Sequence, residues 1–242
     1  MIDPKHPRAK SLAIRDLVVE GVEKGITSKH GLIAQGRGEA FDYLIGEKTQ
    51  SFAEKAIGAA AAQLLLADHP VLSINGNIAA LVPQKYADLA AVLNCPIEIN
   101  LFHASYERKE KIKNHLLSFG AKNILGVDGT LVSFKEIASS RKNVSPEGIA
   151  KADVVLVPLE DGDRTESLVK MGKKVITIDL NPLSRTAQKA DITIVDNVVR
   201  AMPMLIARIL EFKKTKPDLS KIINDYNNQQ VLSEAIIWIR QA

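Results

Sequence analysis

Residues 175–186 read VITIDLNPLSRT. Val175, Ile176, Thr177, Ile178 and Leu180 carry no polar alternation, which is the pattern of a strand covered on both faces in a parallel sheet. Pro182 has no N–H to give to a central ladder, so the strand stops before it and the chain turns. Asp179, Leu180 and Asn181, then Ser184, Arg185 and Thr186, crowd into that turn. Polar side chains, backbone N–H groups and a guanidinium thus gather where a parallel strand leaves its sheet, the edge at which open α/β sheets bind ligands. The stretch reads as half of a nucleotide site.

Working outward, four more apolar runs share this form. Val154–Leu159 is followed by Glu160-Asp161-Gly162-Asp163-Arg164, and Ile192–Val195 by Asp196-Asn197-Val198. Val71–Ile74 runs into Asn75-Gly76-Asn77 and a helix expected through Leu93. Pro96–Phe102 runs into His103-Ala104-Ser105-Tyr106-Glu107-Arg108, and Ile124–Val127 is a shorter strand. A strand, a small polar loop and a helix put N–H groups on an anion; an ordinary turn with an asparagine N-cap is the alternative at Asn75. His103 alone is weak, since a helix start would also place it there. Three carboxylates within residues 160–163 are either solvated or balanced by a divalent metal and a nearby arginine. Residues 128–145 are polar and irregular, a flap or crossing loop. A helix is expected over Ser167–Met171 and another from about Pro203 to Phe212. A terminal amphipathic helix or helical pair follows over Leu219–Trp238.

Upstream the periodicity is helical. Ile14, Leu17, Val18 and Val22 place a helix over Pro4–Lys24, ended by Gly25. Arg8 and Arg15 share its face, as a solvated basic edge or as ligands. Over Thr27–Glu47, Ile33, Arg37, Phe41 and Ile45 form one stripe and Arg37 is expected to face inward, where its charge needs an anion. The anion is a ligand, or else Glu39, Asp42 or Glu47. Gly36 and Gly38 each cost a helix about 1 kcal/mol, which suggests a close approach there. Ser51–Ala67 is an alanine-rich packing helix broken by His69-Pro70.

The arrangement is α/β: a doubly wound, Rossmann-like parallel sheet of five to six strands with an N-terminal helical extension. Residues 1–70 form the extension, which packs on the site; residues 71–242 form the nucleotide- and substrate-binding core with C-terminal helices. Composition narrows the partners. The 242 residues are 46% apolar and 25% charged, ordinary for a globular protein. The net charge of +4 is dispersed and aromatics are few, so nucleic acid is not expected. No run is long enough for a membrane span, and MIDPKHPRAK lacks a signal peptide's apolar region, so a cytoplasmic location is expected. The single cysteine, Cys95, excludes an internal disulfide and reads as a small buried residue, with a nucleophile the lesser alternative. There is no Walker A loop, complete GxGxxG, His/Cys metal cluster or Ser-His-Asp elbow. Residues alone reach an enzyme or binder of a phosphorylated ligand and a nucleotide.

HGLIAQGRGEAFDYLIGE (30–47), SINGN (73–77), PLEDGDRTE (158–166) and IDLNPLSRTAQKADITIVDN (178–197) together resemble the archaeal 4-phosphopantoate–β-alanine ligase family, the phosphopantothenate synthetases. The resemblance covers nearly the whole chain. It implies a cytoplasmic homodimer of coenzyme A biosynthesis that uses ATP and Mg²⁺ to join 4-phosphopantoate to β-alanine, releasing AMP and diphosphate through an acyl adenylate. It places ATP at Arg15, Arg37, Asp179-Leu180-Asn181, Arg185-Thr186 and Asn197-Val198. Strand-end position assigns Asn75, Gly76, Asn77, His103 and Arg108 to phosphopantoate. Arg37, Asn75 and His103 are the candidate catalytic residues, and the metal ligands are left open among Glu160, Asp161 and Asp163. The rivals are a non-catalytic nucleotide sensor and an NAD(P)-linked reductase; the missing fingerprint counts against the latter.

Overall fold

The VITI run forms β7 (Lys174–Ile178), whose last four residues are buried, in a computed structural model that describes residue 3, residues 5–137 and residues 139–241. Five further strands lie parallel to it: β1 (Pro70–Ile74), β2 (Ile97–Ile99), β3 (Ile124–Leu125), β6 (Val154–Leu156) and β8 (Ile192–Ile194). Their spatial order is β3-β2-β1-β6-β7-β8. The order reverses between β1 and β6, so the chain winds outward in both directions from that pair. All the strands point the same way and their C-terminal loops share one edge, with a crevice where the direction of winding changes.

Both faces are covered, as the unbroken apolar runs require. Leu72, Ile74, Leu156, Ile176, Ile178, Ile192 and Ile194 form one core with α3 (Ser51–Leu66), α5 (Pro83–Leu93) and α9 (Val198–Thr215). Val71, Val155, Val157 and Val175 form the other, with Leu168 of α7 (Gly162–Lys170) and Ile149. The alanines of α3 let it sit close against α9, α10 (Leu219–Asn224) and α11 (Asn228–Gln241). Cys95 is 6% exposed, and burial pushes its thiol up to about 12.

Several boundaries differ from the sequence reading. The first helix, α1 (Ala9–Glu23), starts after Pro7; Pro4 lies outside the described residues. The single helix expected after Asn75-Gly76-Asn77 and through Leu93 is two, α4 (Gly76–Leu81), which takes in Gly76 and Asn77, and α5. Val82 leaves helical geometry (φ −141°) because proline disfavours the α region in the residue before it. Helix α7 begins five residues before Ser167, directly on the acidic loop. The 128–145 segment holds a small antiparallel pair, β4 (Val132–Ser133) with β5 (Asn143–Val144), and a tight turn over Ser140–Lys142. Helix α9 runs to Thr215 with Pro203 inside it.

Helix α2 (Lys29–Ile45) stands over the strand ends and is fastened at both ends. At its start, Asn77 Nδ2 donates to Gly31 O (2.9 Å) and Thr27 Oγ1 donates to Gly76 O (2.8 Å). These contacts explain two glycines: a Cβ on Gly31 would collide with the Asn77 amide, and one on Gly76 would lie 2.5 Å from Ile26 O. Near its end, buried Asp42 accepts from Asn197 Nδ2 (2.8 Å) and pairs with Arg200. Arg200 also pairs with Asp196, which accepts from Thr49 Oγ1 (2.6 Å).

Candidate functional site

The crevice between α2 and the sheet edge is a cleft of about 270 Å³. Residues Asn75, Gly76 and Asn77 after β1, and His103 with Arg108 after β2, border it on one side of the β1/β6 switch. On the other side stand Leu180 after β7, then Asn197 and Val198 at the head of α9. Arg37 and Gly38 look in from α2. Nine residues singled out from the sequence therefore meet at one place: Arg37, Asn75, Gly76, Asn77, His103, Arg108, Leu180, Asn197 and Val198.

Arg37 reaches the cleft by a different route from the one expected. The stripe divides: Ile45 is buried in the core and Phe41 packs against it, whereas Ile33, one turn before Arg37, is 67% exposed, so the N-terminal half of the stripe does not face a core. Arg37 is exposed at the rim and makes no ion pair among the described residues. Two of the three carboxylates weighed as internal partners are taken elsewhere, Glu39 by Arg15 and Asp42 by Arg200. The close approach inferred at Gly36 and Gly38 is not seen within the chain. Nothing lies within 4 Å of a Cβ built on Gly36, and Gly38 meets only Leu180 Cδ1 at 3.6 Å.

Other expected ligands hold the site together. Asn75 Oδ1 accepts from Ile78 N–H (3.1 Å), and its Nδ2 donates to Pro158 O and Leu159 O (both 3.1 Å). The side chain thus caps α4 and straps the end of β1 to the end of β6. Asp179 accepts from Asn181 N–H (2.9 Å) and from Ser184 Oγ, and burial raises its pKa. Asn181 Oδ1 in turn accepts from Leu183 N–H (2.9 Å). Asn197 Oδ1 caps α9 through Val199 N–H (3.1 Å). Arg108 is half-buried, with Nε on Ile26 O (2.9 Å) and Nη1 on His103 O (3.0 Å); burial lowers its pKa. The His103 ring is exposed and lies 4.9 Å from that of His30 at the start of α2.

Five expected residues lie outside the cleft lining: Asp179 and Asn181, which brace the turn that carries Leu180, and Arg15, Arg185 and Thr186. Arg15 sits on the far side of α2, its Nε on Glu39 Oε2 (2.8 Å) and an Nη on the Tyr43 hydroxyl (3.3 Å). Arg185 pairs with Glu166 of α7. Thr186 is buried and donates to Glu160 O (2.7 Å), tying the turn after β7 to the loop after β6.

The acidic loop is balanced by arginines. Glu160, with 2% of its side chain exposed, lies between Arg141 and Arg164 and bonds both. Burial, followed by the like charge of Arg164, draws the Arg141 guanidinium down to about 9. Among the described residues no group of three or more His, Cys, Asp or Glu side chains is arranged to hold a metal ion. Arg141, which lines the cleft, and the fully buried Glu98 are two residues that the sequence reading passed over. Glu98 accepts from Ser145 N–H (3.0 Å) and Ile149 N–H (2.7 Å), which fixes the segment carrying Arg141 to β2, and burial raises its pKa.

Residues 52–242 match the family model described as phosphopantothenate/pantothenate synthetase. A protein of Thermococcus kodakarensis named 4-phosphopantoate–β-alanine ligase is 53% identical over 241 residues, covering 99% of this chain and 92% of its own. Proteins of the same name from Methanosarcina mazei and Methanospirillum hungatei are 53% and 42% identical, over 98% and 100% of this chain and 93% and 97% of theirs. With more than half its length matched by the model and relatives aligned end to end, this chain belongs to the phosphopantothenate/pantothenate synthetase family.

Proposed function

We propose that the chain is an ATP-dependent ligase of coenzyme A biosynthesis, joining 4-phosphopantoate to β-alanine to give 4′-phosphopantothenate, AMP and diphosphate. The observation that supports it best is the cleft itself. One crevice at the switch point carries Arg37 and the head of α9 on one side and Arg108 and Arg141 on the other. Two anionic reactants laid end to end, a nucleotide and a phosphorylated acid, match that division of charge.

In this reading a carboxylate oxygen of phosphopantoate attacks the α-phosphorus of ATP, and the bond to the β-phosphate breaks as diphosphate leaves. The free amine of β-alanine then attacks the acyl carbon, AMP departs with the bonding pair, and the amine proton is lost to solvent. Charge grows on phosphoryl oxygens in both steps, so fixed donors supply the catalysis. Arg37, exposed and unpaired among the described residues, holds the triphosphate. Backbone N–H groups at the head of α9 face it with the helix's positive end. The turn Asp179–Asn181, rigid through its own hydrogen bonds, presents Leu180 to the nucleoside. Asn75 acts by holding the β1 and β6 ends in register, and His103 with Asn77 borders the acid. Arg15 and Arg185–Thr186 join the nucleotide only if their present partners release them. The cleft's Asp161 faces Arg141 and makes no cage, so magnesium fits as part of the incoming Mg·ATP, held by phosphate oxygens and water.

The test is isotopic. With phosphopantoate, Mg²⁺ and ATP but no β-alanine, labelled diphosphate should exchange into ATP, and the exchange should vanish without phosphopantoate. AMP and phosphopantothenate should appear by mass spectrometry when β-alanine is added. ADP without AMP would sink the adenylate; no product of either kind would favour a nucleotide sensor.

The reading includes a homodimer in the cytoplasm. No helix among the described residues is long and apolar enough to cross a membrane. Ile237 and Trp238 of α11 are 53% and 43% exposed, beside a face of α2 that also exposes Leu44. Removing α11 would strip Val231, Leu232 and Ala235 from the core, so truncation would unfold the chain. Ile237→Asp is the cleaner probe. It should give monomer by light scattering with the fold intact, and a dimer of unchanged mass would place the interface elsewhere.

A further inference from the structure

Charge gathers over the ends of β2, β1 and β6 in a way the roles above leave unused. One edge of the Arg141 guanidinium is fixed by Glu160. Its Nε lies 3.4 Å from Asp161 Oδ2, inside ion-pair range, yet among the described residues neither atom makes a hydrogen bond. The side chain is only 7% exposed. A buried donor left without a partner is costly, and a guanidinium ordinarily uses such an edge to fork onto an oxyanion.

The surroundings hold this edge still. Asn100 Nδ2 donates to Arg141 O (3.2 Å), while Asn100 Oδ1 is itself buried and unpartnered among the described residues. Arg108 borders the same cleft, and its positive charge bears on Arg141. Two immobilised arginines therefore face one space, with a single loosely seated carboxylate between them and the nucleotide side.

We propose that Arg141, together with Arg108, clamps the phosphate monoester end of the acid substrate, and that Asp161 seats the Nε edge until that phosphate displaces it. The inference rests on the ligase reading. In that reading the acid's carboxylate must meet the nucleotide's α-phosphorus on the β7–β8 side, so the phosphate lies at the opposite end, where these arginines stand. A dianion with three oxygens can take the Nε edge of one guanidinium and a free Nη of the other.

Calorimetry with the purified protein tests this, titrating 4-phosphopantoate and then unphosphorylated pantoate without nucleotide or metal. Arg141→Lys keeps the charge opposite Glu160 but loses the fork. It should weaken phosphopantoate about tenfold or more, as loss of a charge-assisted hydrogen bond does. Pantoate affinity, the KM for ATP and the melting temperature should hold. Equal weakening of both acids, or a rise in the ATP KM instead, overturns the clamp. Should this variant fail to fold, Asp161→Asn decides: removing the competing carboxylate should tighten phosphopantoate severalfold and leave pantoate alone, and no tightening overturns it. A wild-type protein that makes phosphopantothenate while Arg141→Lys binds normally defeats this inference only. A wild-type protein that neither binds phosphopantoate nor makes product defeats the ligase reading with it.

Discussion

The two sides of α2 hold arginines in opposite conditions. On the cleft side Arg37 is exposed and unpaired among the described residues, and its charge acts on Asp179 across the crevice. On the outer side Arg15 is held by Glu39 and Tyr43. Both carry the same charge on neighbouring helices, and sequence alone marks both as phosphate ligands. What separates them is the carboxylate within reach. A cation with a partner must break that contact before it serves a ligand, whereas a free one loses only water. Arg185, held by Glu166, belongs with Arg15 in this respect.

Both arginines keep their places only while α2 is held fast, and the largest effect should come from loosening it. Asp42→Ala leaves Asn197 and Arg200 without their shared carboxylate. Breaking such a largely buried pair costs about 3 kcal/mol, or about 10 °C in Tm for a chain of this size. An unchanged Tm would show that α2 is held by other contacts. Next, Arg37→Ala should lower kcat/KM by about 3 kcal/mol, roughly a hundredfold, as loss of one well-placed donor does. Its Tm should not move, because nothing buried is left unpaired. A variant that unfolds while its folded fraction keeps full activity would make Arg37 structural.

Smaller effects sharpen the contrast. Arg15→Ala should raise the KM for ATP less than Arg37→Ala does; an equal or greater rise would mean that Arg15 leaves Glu39 in the working enzyme. The last effect concerns acid stability. Hydrogen bonds from Arg185 and Lys170 draw Glu166 down to about 2 from 4.5. A carboxyl depressed on folding stabilises fully above its unfolded pKa, and that contribution fades as pH falls from about 4.5 to about 2. Glu166→Gln should therefore flatten the acid limb of the stability curve in this window only. The same slope in both proteins would show that the pair with Arg185 adds nothing measurable.

The strands and their order of loops were legible because unbroken apolar runs have one physical cause, burial on both faces. The turn at Asp179–Pro182 was legible because proline and short polar side chains have few other uses at a strand end. The direction of Arg37 was not. Helical spacing says which residues share a face, and only the tertiary packing says whether that face meets a core or a cleft; Ile33 shows the difference. Arg141 and Glu98 were invisible for another reason. The partners of Arg141 are Glu160, nineteen residues on, and those of Glu98 are backbone N–H groups beyond residue 144, which no side-chain pattern announces. Glu98, flanked by Ile97 and Ile99, passes for the polar position of an alternating strand. It is instead the anchor of the segment that brings Arg141 to the cleft.

The lone cysteine offers a gauge. Cys95 is sealed beneath the end of α5 with its thiol held protonated far above neutral pH, and thiolate is the form that reacts. Alkylation must wait for the chain to open around it. A native protein treated with iodoacetamide would therefore take up label in proportion to the population of the state opened around Cys95, so a mass measurement over time reads the free energy of that opening without denaturant or dye.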